Sequence, residues 1–235
     1  MTLIVCLRAQ GCIVFAADSL TTYASRHGSC RAFKLHKLSN HAAVAHCGWA
    51  GTQARNWRDV FKAFKPPVPT GGRPASPGSL LGALQVALDG LVNIPRSNVR
   101  ACAGSNTFLA ATLDPSTGDL ALECITRHDD DRKFNASVPE SPAGQTNYIR
   151  FLGDTGSLQA HIATVTATYS AAMAQAPAGM SEAQAITFAR DAIKNAIPIA
   201  KQAGIRTIGG DFVRVLTLST TGVKSRHFKS GVSCP

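Results

Sequence analysis

The chain has 235 residues, of which 45% are hydrophobic, 16% are charged and 6% are aromatic. This composition predicts one globular domain, residues 1–235, with a sizeable core. The net charge of +10 attracts anionic partners in general. Because the basic residues are spread along the chain and no nucleic-acid-binding motif is present, we do not expect a nucleic-acid partner.

The seven cysteines are odd in number and contain no Cys-x-x-Cys spacing. This pattern predicts neither a disulfide framework nor a zinc site, and it favours a reducing, cytoplasmic location. The apolar start of the chain lacks a basic leader and is interrupted by Arg8 and Gln10, so we interpret it as strands rather than a signal peptide. No uncharged apolar run approaches the roughly 18 residues that a membrane span needs.

Apolar, β-branched runs separated by polar turns predict two hairpins at the start of the chain. The four predicted strands are residues 2–7, 12–17, 27–35 and 42–47. The turn of the first hairpin contains Gly11, and that of the second is Ser39-Asn40.

Two helices are predicted next, because apolar residues recur at spacings of three and four over residues 51–65 and 79–92. Strands at 107–114 and 120–126 flank a turn rich in proline and glycine. Residues 128–145 are charged and aperiodic, which predicts an exposed insertion without regular structure.

A strand at residues 148–152 precedes two Ala-rich helices at 158–174 and 181–203. The second helix opens with the spacing of a capping box, and Pro198 within it predicts a kink. A last hairpin is predicted from residues 211–219 and 223–229. The predicted elements follow the order strands, two helices, strands, two helices and strands. This order predicts an α+β layered domain, with antiparallel sheets covered by helices.

Four short segments resemble the proteasome β-subunit family, and from Thr2 to Gly48 the match needs no gap. The segments are Met1-Thr2-Leu3-Ile4-Val5, Val14-Phe15-Ala16-Ala17-Asp18-Ser19, Phe33-Lys34-Leu35-His36-Lys37-Leu38 and Ala45-His46-Cys47-Gly48. This resemblance implies an N-terminal-nucleophile (Ntn) hydrolase with a four-layer αββα sandwich. Among its bacterial members, the chain resembles the Anbu and betaproteobacterial homologues more than the shorter ATPase-partnered form.

Thr2 is the candidate nucleophile, after removal of Met1. A threonine hydroxyl needs a base to accept its proton before it can attack a carbonyl. An N-terminal residue supplies that base itself, because an α-amine has a reference pKa of about 8 and is partly neutral near physiological pH.

The resemblance also implies roles for Lys34, Asp18 and Gly48. The lysine lies beside the nucleophile, where its charge lowers the pKa of neighbouring acids. The aspartate pairs with the buried ammonium and keeps it ionised. The glycine presents a backbone N–H to the oxyanion of the tetrahedral intermediate.

For substrate binding, the resemblance implies that Thr22 pairs with an extended peptide backbone and that His46 shapes the side-chain pocket. A histidine there favours polar or acidic side chains. The family's supporting serine matches either Asp154, without a gap, or Ser157, with a small shift, and both stay open. The family's acidic residue late in the last helix has no counterpart in residues 201–206, and Asp211 is the nearest acid.

These features predict a threonine endopeptidase subunit that needs no cofactor or metal. The resemblance implies a homo-oligomeric ring that admits peptides or unfolded proteins, with an ATP-dependent unfoldase as a candidate partner. Two alternatives stay open: an Ntn amidase or acyl-transfer enzyme acting on a small amide, and a non-catalytic ring-forming subunit.

Two further sequence features each have a functional and a simpler structural interpretation. Cys47 is a candidate reactive thiol beside Gly48, but a small buried residue is the favoured interpretation. His128 with the three aspartates that follow it suggests a metal site, whereas a charged surface loop is the favoured interpretation.

Overall fold

In the computed structural model, the residues described are 2–20, 33–48, 57–67, 77–92, 106–127, 135, 138–141, 147–153, 155–176, 178–206 and 208–231. The strands are β1 Leu3–Ala9, β2 Cys12–Asp18, β3 Leu35–Lys37, β4 Ala42–Cys47, β5 Asn106–Leu113, β6 Leu120–Arg127, β7 Val138–Ser141, β8 Tyr148–Gly153, β9 Phe212–Ser219 and β10 Gly222–Lys229. The helices are α1 Trp57–Ala63, α2 Pro77–Val92, α3 Gln159–Gln175 and α4 Glu182–Gln202. A single 3-10 turn, Gly156–Leu158, precedes α3.

The strands form two five-stranded antiparallel sheets. The first sheet has the order β10-β9-β2-β1-β8, and the second has the order β3-β4-β5-β6-β7. Each predicted hairpin is present among the described residues, and the predicted α+β class with antiparallel sheets is confirmed.

Buried apolar side chains form three clusters, and strand β1 contributes to two of them. Leu3, Val5 and Leu7 pack with side chains of α3 and α4. Ile4 and Cys6 point the other way and pack with side chains of the second sheet. Successive side chains of a strand face opposite sides of the sheet, and both sides are covered here. For this reason all seven residues of β1 are buried, and all of them except Arg8 are apolar.

The third cluster lies on the other face of the second sheet, against α1 and α2. Trp57 and Phe61 of α1 meet Phe108 of β5, with ring centroids 5.3 and 6.0 Å apart. Leu84 and Leu88 of α2 belong to the same cluster. These residues lie at the helical spacing that the sequence shows. Val86 of α2 is also apolar but is 71% exposed, so the periodicity located the buried face of α2 only in part.

Helix α4 packs on the first sheet through small side chains. Its buried residues include Ala185, Ala189 and Ala196, spaced to lie along one face. The predicted capping box is confirmed: the Ser181 hydroxyl accepts from the backbone N–H of Gln184, whose side chain accepts from the backbone N–H of Ser181. The helix continues through Pro198 to Gln202.

The prediction that residues 128–145 lack regular structure is wrong for residues 138–141, which form β7. This strand is four residues long and contains Pro139, two features that hide a strand from sequence analysis. A proline is tolerated because β7 lies at the edge of its sheet. Glu140 of β7 forms an ion pair with Arg150 of β8 and accepts a hydrogen bond of 3.0 Å from the Tyr148 hydroxyl. These contacts tie the edges of the two sheets together.

Two other predicted elements extend beyond the described residues. The strand predicted at 27–35 overlaps β3 only at Leu35, and its residues 27–32 lie outside the described part of the chain. The helix predicted at 51–65 corresponds to α1, and its residues 51–56 also lie outside. Within the described ranges, no helix is both long and apolar enough to cross a bilayer.

Candidate active site

Strand pairing brings three of the predicted site residues to one end of the molecule. Thr2 directly precedes β1, and Asp18 is the last residue of β2. Because β1 and β2 are antiparallel, with Ile4 opposite Ala17, the start of one strand adjoins the end of the other. Lys34 directly precedes β3 of the second sheet. The site therefore joins the two sheets.

One oxygen of the Asp18 carboxylate connects all three residues. Its Oδ1 accepts hydrogen bonds of 2.8 Å from the Thr2 hydroxyl, from the Leu3 backbone N–H and from the Lys34 ammonium. The Thr2 residue is only 3% exposed. The prediction that Asp18 pairs with Lys34 is thus confirmed by geometry, and the hydroxyl of Thr2 shares the same acceptor atom.

The other oxygen of Asp18 is held by the backbone. Its Oδ2 accepts from the N–H of Gly209 at 3.1 Å and from the N–H of Leu20 at 3.3 Å. A buried carboxylate loses its contact with water, and these five hydrogen bonds replace that hydration. The carboxylate is therefore fixed in position before any substrate binds.

Burial is the main influence on the Lys34 ammonium. It lowers the pKa of Lys34, and the attraction and hydrogen bond of Asp18 partly offset that effect. An ammonium taken out of water favours its neutral form unless an opposite charge lies beside it. Lys34 therefore loses its proton at a lower pH than an exposed lysine does.

Sequence analysis missed Gly209 and Gly210, which lie just before β9 and contact the site. Besides the Gly209 bond to Asp18, the N–H groups of Ser19 and Leu20 both donate to the Gly209 carbonyl, at 3.1 and 2.9 Å. A side chain at Gly210 would place its Cβ 2.3 Å from the Ser19 hydroxyl, and the φ of Gly210 is +102°. The Gly-Gly dipeptide just before β9 was the available signal, since only glycine suits both the close approach and this conformation.

Gly153 makes a comparably close approach to Thr2. It ends β8 opposite Leu3, with φ +110°, and a Cβ there would lie 1.6 Å from the Thr2 carbonyl oxygen. No side chain fits in that space. The backbone of Thr2 is thus enclosed between β2 and the end of β8, which holds the hydroxyl in place.

Gly48 follows the end of β4 and has φ +118°, a conformation that strongly favours glycine. The preceding residue, Cys47, lies close enough to Lys34 and Asp18 for their charges to influence its pKa. Gly48 therefore adjoins the cluster. Burial raises the pKa of the Cys47 thiol despite the nearby ammonium, so the favoured interpretation of Cys47 as a small, partly buried residue fits better than a reactive thiolate.

His46 lies on β4, and its ring is buried among other rings rather than exposed in a cleft. Its Nδ1 is 3.1 Å from Nε2 of His36, and both rings contact Phe61. Burial and the charge of Lys34 lower the pKa of His46 to about 3. The imidazole is therefore neutral at physiological pH, and it provides no positive charge for an acidic side chain.

Three further predicted residues are Thr22, Asp154 and Ser157. Thr22 and Asp154 lie outside the described residues. Ser157 is exposed on the 3-10 turn before α3, and no hydrogen bond joins it to Thr2, Asp18 or Lys34.

No group of three or more His, Cys, Asp or Glu side chains suited to a metal ion occurs in the part of the chain that the structure describes. His128 and the aspartates after it lie outside those residues. Comparison with models of known protein families found no match, and neither did comparison with curated proteins.

Chemically, the arrangement presents the hydroxyl of the second residue, a fixed carboxylate that orients it, and a buried ammonium that shares the same carboxylate oxygen. A positive charge at this position stabilises negative charge that develops on a neighbouring oxygen. The cluster thus suits nucleophilic attack by the Thr2 hydroxyl on an electrophilic carbonyl.

Proposed function

We propose that this chain is a threonine peptidase subunit of the Ntn hydrolase type, similar to the proteasome β-subunits. The observation that supports it most is the shared acceptor: Thr2 and Lys34 both bind Oδ1 of the buried Asp18. A hydroxyl and an ammonium that are 2.8 Å from one oxygen are within about 6 Å of each other, a separation at which a charge strongly affects a neighbour.

The packing supports the corresponding αββα architecture. One apolar cluster joins α3 and α4 to the first sheet, a second contains side chains of both sheets, and a third joins α1 and α2 to the second sheet. We propose that these are four layers, in the order helices, sheet, sheet and helices. The site would then lie where the two sheets meet at one end.

In the proposed reaction, removal of Met1 frees the α-amine of Thr2. The neutral amine takes the hydroxyl proton while Oγ1 forms a bond to the peptide carbonyl carbon. Lys34 stabilises the developing charge on Oγ1, and the Gly48 N–H stabilises the oxyanion. The ammonium group of Thr2 then gives its proton to the departing amine, which leaves an ester that water hydrolyses.

Asp18 has a positioning role in this scheme. Its two oxygens already accept five hydrogen bonds, three of them from backbone N–H groups, so it orients Thr2 and Lys34 rather than taking the proton. The α-amine is the remaining base next to the hydroxyl. This division of roles explains why the reaction needs Thr2 to be the first residue.

We further propose that the substrates are peptides or unfolded proteins, that the subunits assemble into a homo-oligomeric ring in the cytoplasm, and that an ATP-dependent unfoldase delivers substrates. A ring would restrict access to the buried hydroxyl of Thr2. Sedimentation of the purified protein tests this assembly, since a monomer at all concentrations would contradict it.

The decisive experiment combines intact-mass measurement with substitution of Thr2. We expect purified protein to lack Met1 and to gain the mass of one β-lactone inhibitor per active chain. Thr2→Ala should reduce peptide hydrolysis at least about 10³-fold, because no other hydroxyl replaces the nucleophile. Thr2→Ser keeps a hydroxyl and should retain measurable activity. Undiminished hydrolysis by Thr2→Ala, or by protein that retains Met1, would refute the proposal.

A further inference from the structure

Strand β10 forms one edge of the first sheet, and among the described residues no strand pairs with its outer side. It has eight residues and no proline, and its pairing with β9 runs in one continuous register from Gly222 to Lys229. At alternate residues of such an edge strand the backbone N–H and C=O groups point away from the sheet. The strand therefore presents a regular row of donors and acceptors to a further strand.

The other three edge strands are less suited to pairing. Strand β3 has three residues, and β7 has four and contains Pro139. Strand β8 has six residues, and its Arg150 is held in an ion pair with Glu140 of β7. Short strands and prolines protect sheet edges from the addition of another chain. Among the edges that the structure describes, β10 is the longest.

Both faces of β10 are open in the middle of the strand. Four consecutive residues, Lys224, Ser225, Arg226 and His227, are exposed. Successive side chains of a strand point to opposite faces of the sheet. Consecutive exposure therefore means that the described part of the chain covers neither face here, and there is room for an added strand along this edge.

The hairpin of β9 and β10 is basic. Residues 212–229 contain Arg214, Lys224, Arg226 and Lys229 and no aspartate or glutamate. The three cations of β10 are exposed, and none of them forms an ion pair with an acid of the described residues. Lys224 and Arg226 are two positions apart, so they lie on the same face of the strand, where like charges repel. An anionic partner would relieve this repulsion.

A protein segment fits this edge better than a nucleic acid does. Single-stranded nucleic acids bind such surfaces through aromatic side chains on which their bases stack. The only Phe, Tyr or Trp of β10 is Phe228, which is half-buried, and the guanidinium carbon of Arg190 lies 5.4 Å from the centroid of its ring. A polypeptide backbone, by contrast, has the alternating donors and acceptors that continue a sheet.

We propose that the outer edge of β10 binds an extended acidic segment of a partner protein, which adds to the first sheet as a further strand. Main-chain hydrogen bonds to β10 hold the segment, and acidic side chains at every second position face Lys224 and Arg226. Strand β9 separates β10 from β2, which ends at Asp18, so this edge is distinct from the candidate active site. The inference does not depend on the proposed peptidase function.

Binding is measured by fluorescence anisotropy at low ionic strength with the Thr2→Ala protein, so that hydrolysis cannot consume the probe. The probe is the labelled, amidated heptapeptide Thr-Glu-Thr-Glu-Thr-Glu-Thr, and the control peptide has glutamine in place of each glutamate. We expect the glutamate peptide to bind at least about tenfold more tightly, because each exposed charge pair changes affinity by up to about fivefold. Equal affinity of the two peptides, or no binding of either, would overturn the proposal.

Amide hydrogen exchange locates the bound peptide and tests for backbone pairing. With saturating glutamate peptide, exchange should slow at alternate residues of β10, because only every second N–H of a strand faces a given neighbour. Strand β2, which is paired on both sides, is the internal control. Unchanged exchange in β10 would show that the peptide does not add to the sheet.

Substitutions test the charges on the edge. The double variant Lys224→Gln, Arg226→Gln should weaken binding of the glutamate peptide about tenfold and leave binding of the glutamine peptide unchanged. Both positions are exposed, so the variant should fold. The matched control, Lys62→Gln with Lys201→Gln, removes the same charge from exposed positions on α1 and α4. An equal loss in the control would show a general attraction to a basic protein and contradict the proposal.

An oligonucleotide distinguishes a protein partner from polyanions in general. In the same exchange experiment, an oligothymidylate of about eight nucleotides should leave the alternate residues of β10 unprotected, since it has no backbone that continues a sheet. If it slows exchange in the same pattern as the peptide, the protection arises from anion binding alone, and strand addition is wrong.

Discussion

Lys34 and His36 are two residues apart, and each is buried against a polar partner, yet the two pairs differ. Lys34 forms an ion pair with Asp18, whereas His36 shares a hydrogen bond with His46 between neutral rings. Burial lowers the pKa of the base in both pairs. The partner of each base decides whether that base is charged. Asp18 is an anion fixed by backbone N–H groups, while the neighbours of His36 include the cations Arg58 and Arg214. Residue type alone does not predict charge in a buried site.

The largest effect should come from Asp18→Asn. The substitution leaves the Lys34 ammonium buried without an anion, and it replaces one of the two acceptor oxygens with an NH2 group that faces N–H or O–H donors. We expect a loss of about 3–5 kcal/mol in the free energy of unfolding, measured by urea denaturation at pH 7. The double variant Asp18→Asn, Lys34→Met should regain part of that loss. A loss below about 1 kcal/mol for Asp18→Asn would show that the pair is not buried as described.

A smaller loss of stability but a clear loss of activity should follow from Lys34→Met. Asp18 keeps its four other donors in this variant, so unfolding should change less than in Asp18→Asn. Hydrolysis should fall about 10²–10⁴-fold, since a group that assists proton transfer and stabilises charge is removed. The measurement is kcat/KM across a series of pH values. The part of the pH profile that reflects the titration of Lys34 should be absent in the variant. Full activity with an unchanged pH profile would exclude a role for the ammonium.

The histidine pair should make the free energy of unfolding depend on pH in the acid range. Both histidines have lowered pKa values in the folded chain, about 3 for His46, against a value near 6.5 when unfolded. Below pH 6.5 the unfolded chain therefore binds more protons, and stability falls as pH falls. His46 contributes up to about 1.4 kcal/mol per pH unit between pH 6 and 4, and His36 contributes in the same direction.

His46→Gln tests this expectation, because glutamine preserves a polar side chain but does not titrate. Urea denaturation at several pH values should show an acid slope reduced by about one proton. His161→Gln, on α3, is the control for loss of a histidine outside the pair. If His46→Gln leaves the slope unchanged, His46 is protonated in the folded chain and the contrast with Lys34 disappears.

Much of the fold was predictable because its signals are local. The apolar runs of β1 and β2, the capping box at Ser181 and the glycine turn at Gly11 depend on residues within a few positions of each other. Strand β7 escaped prediction because a short edge strand with a proline is defined by its pairing with β6 rather than by its own sequence.

The candidate site was predictable in part. Thr2, Asp18 and Lys34 lie within 33 consecutive residues, and the structure brings the hydroxyl and the ammonium onto one oxygen of the Asp18 carboxylate. Gly209 donates to Asp18 from 191 positions away. No local pattern reveals a contact over that distance, because it exists only once β9 pairs with β2.

The amino-acid sequence by itself determined most of the segments that form helices and strands, and it located a hydroxyl, a carboxylate and an ammonium near the start of the chain. Hydrophobic periodicity and turn chemistry act over a few residues, so they can be read directly. Only the tertiary structure decided that His36 and His46 are neutral and that two arginines stack on Phe33. Both follow from burial and from charges on distant strands and helices, and these quantities arise when the chain folds.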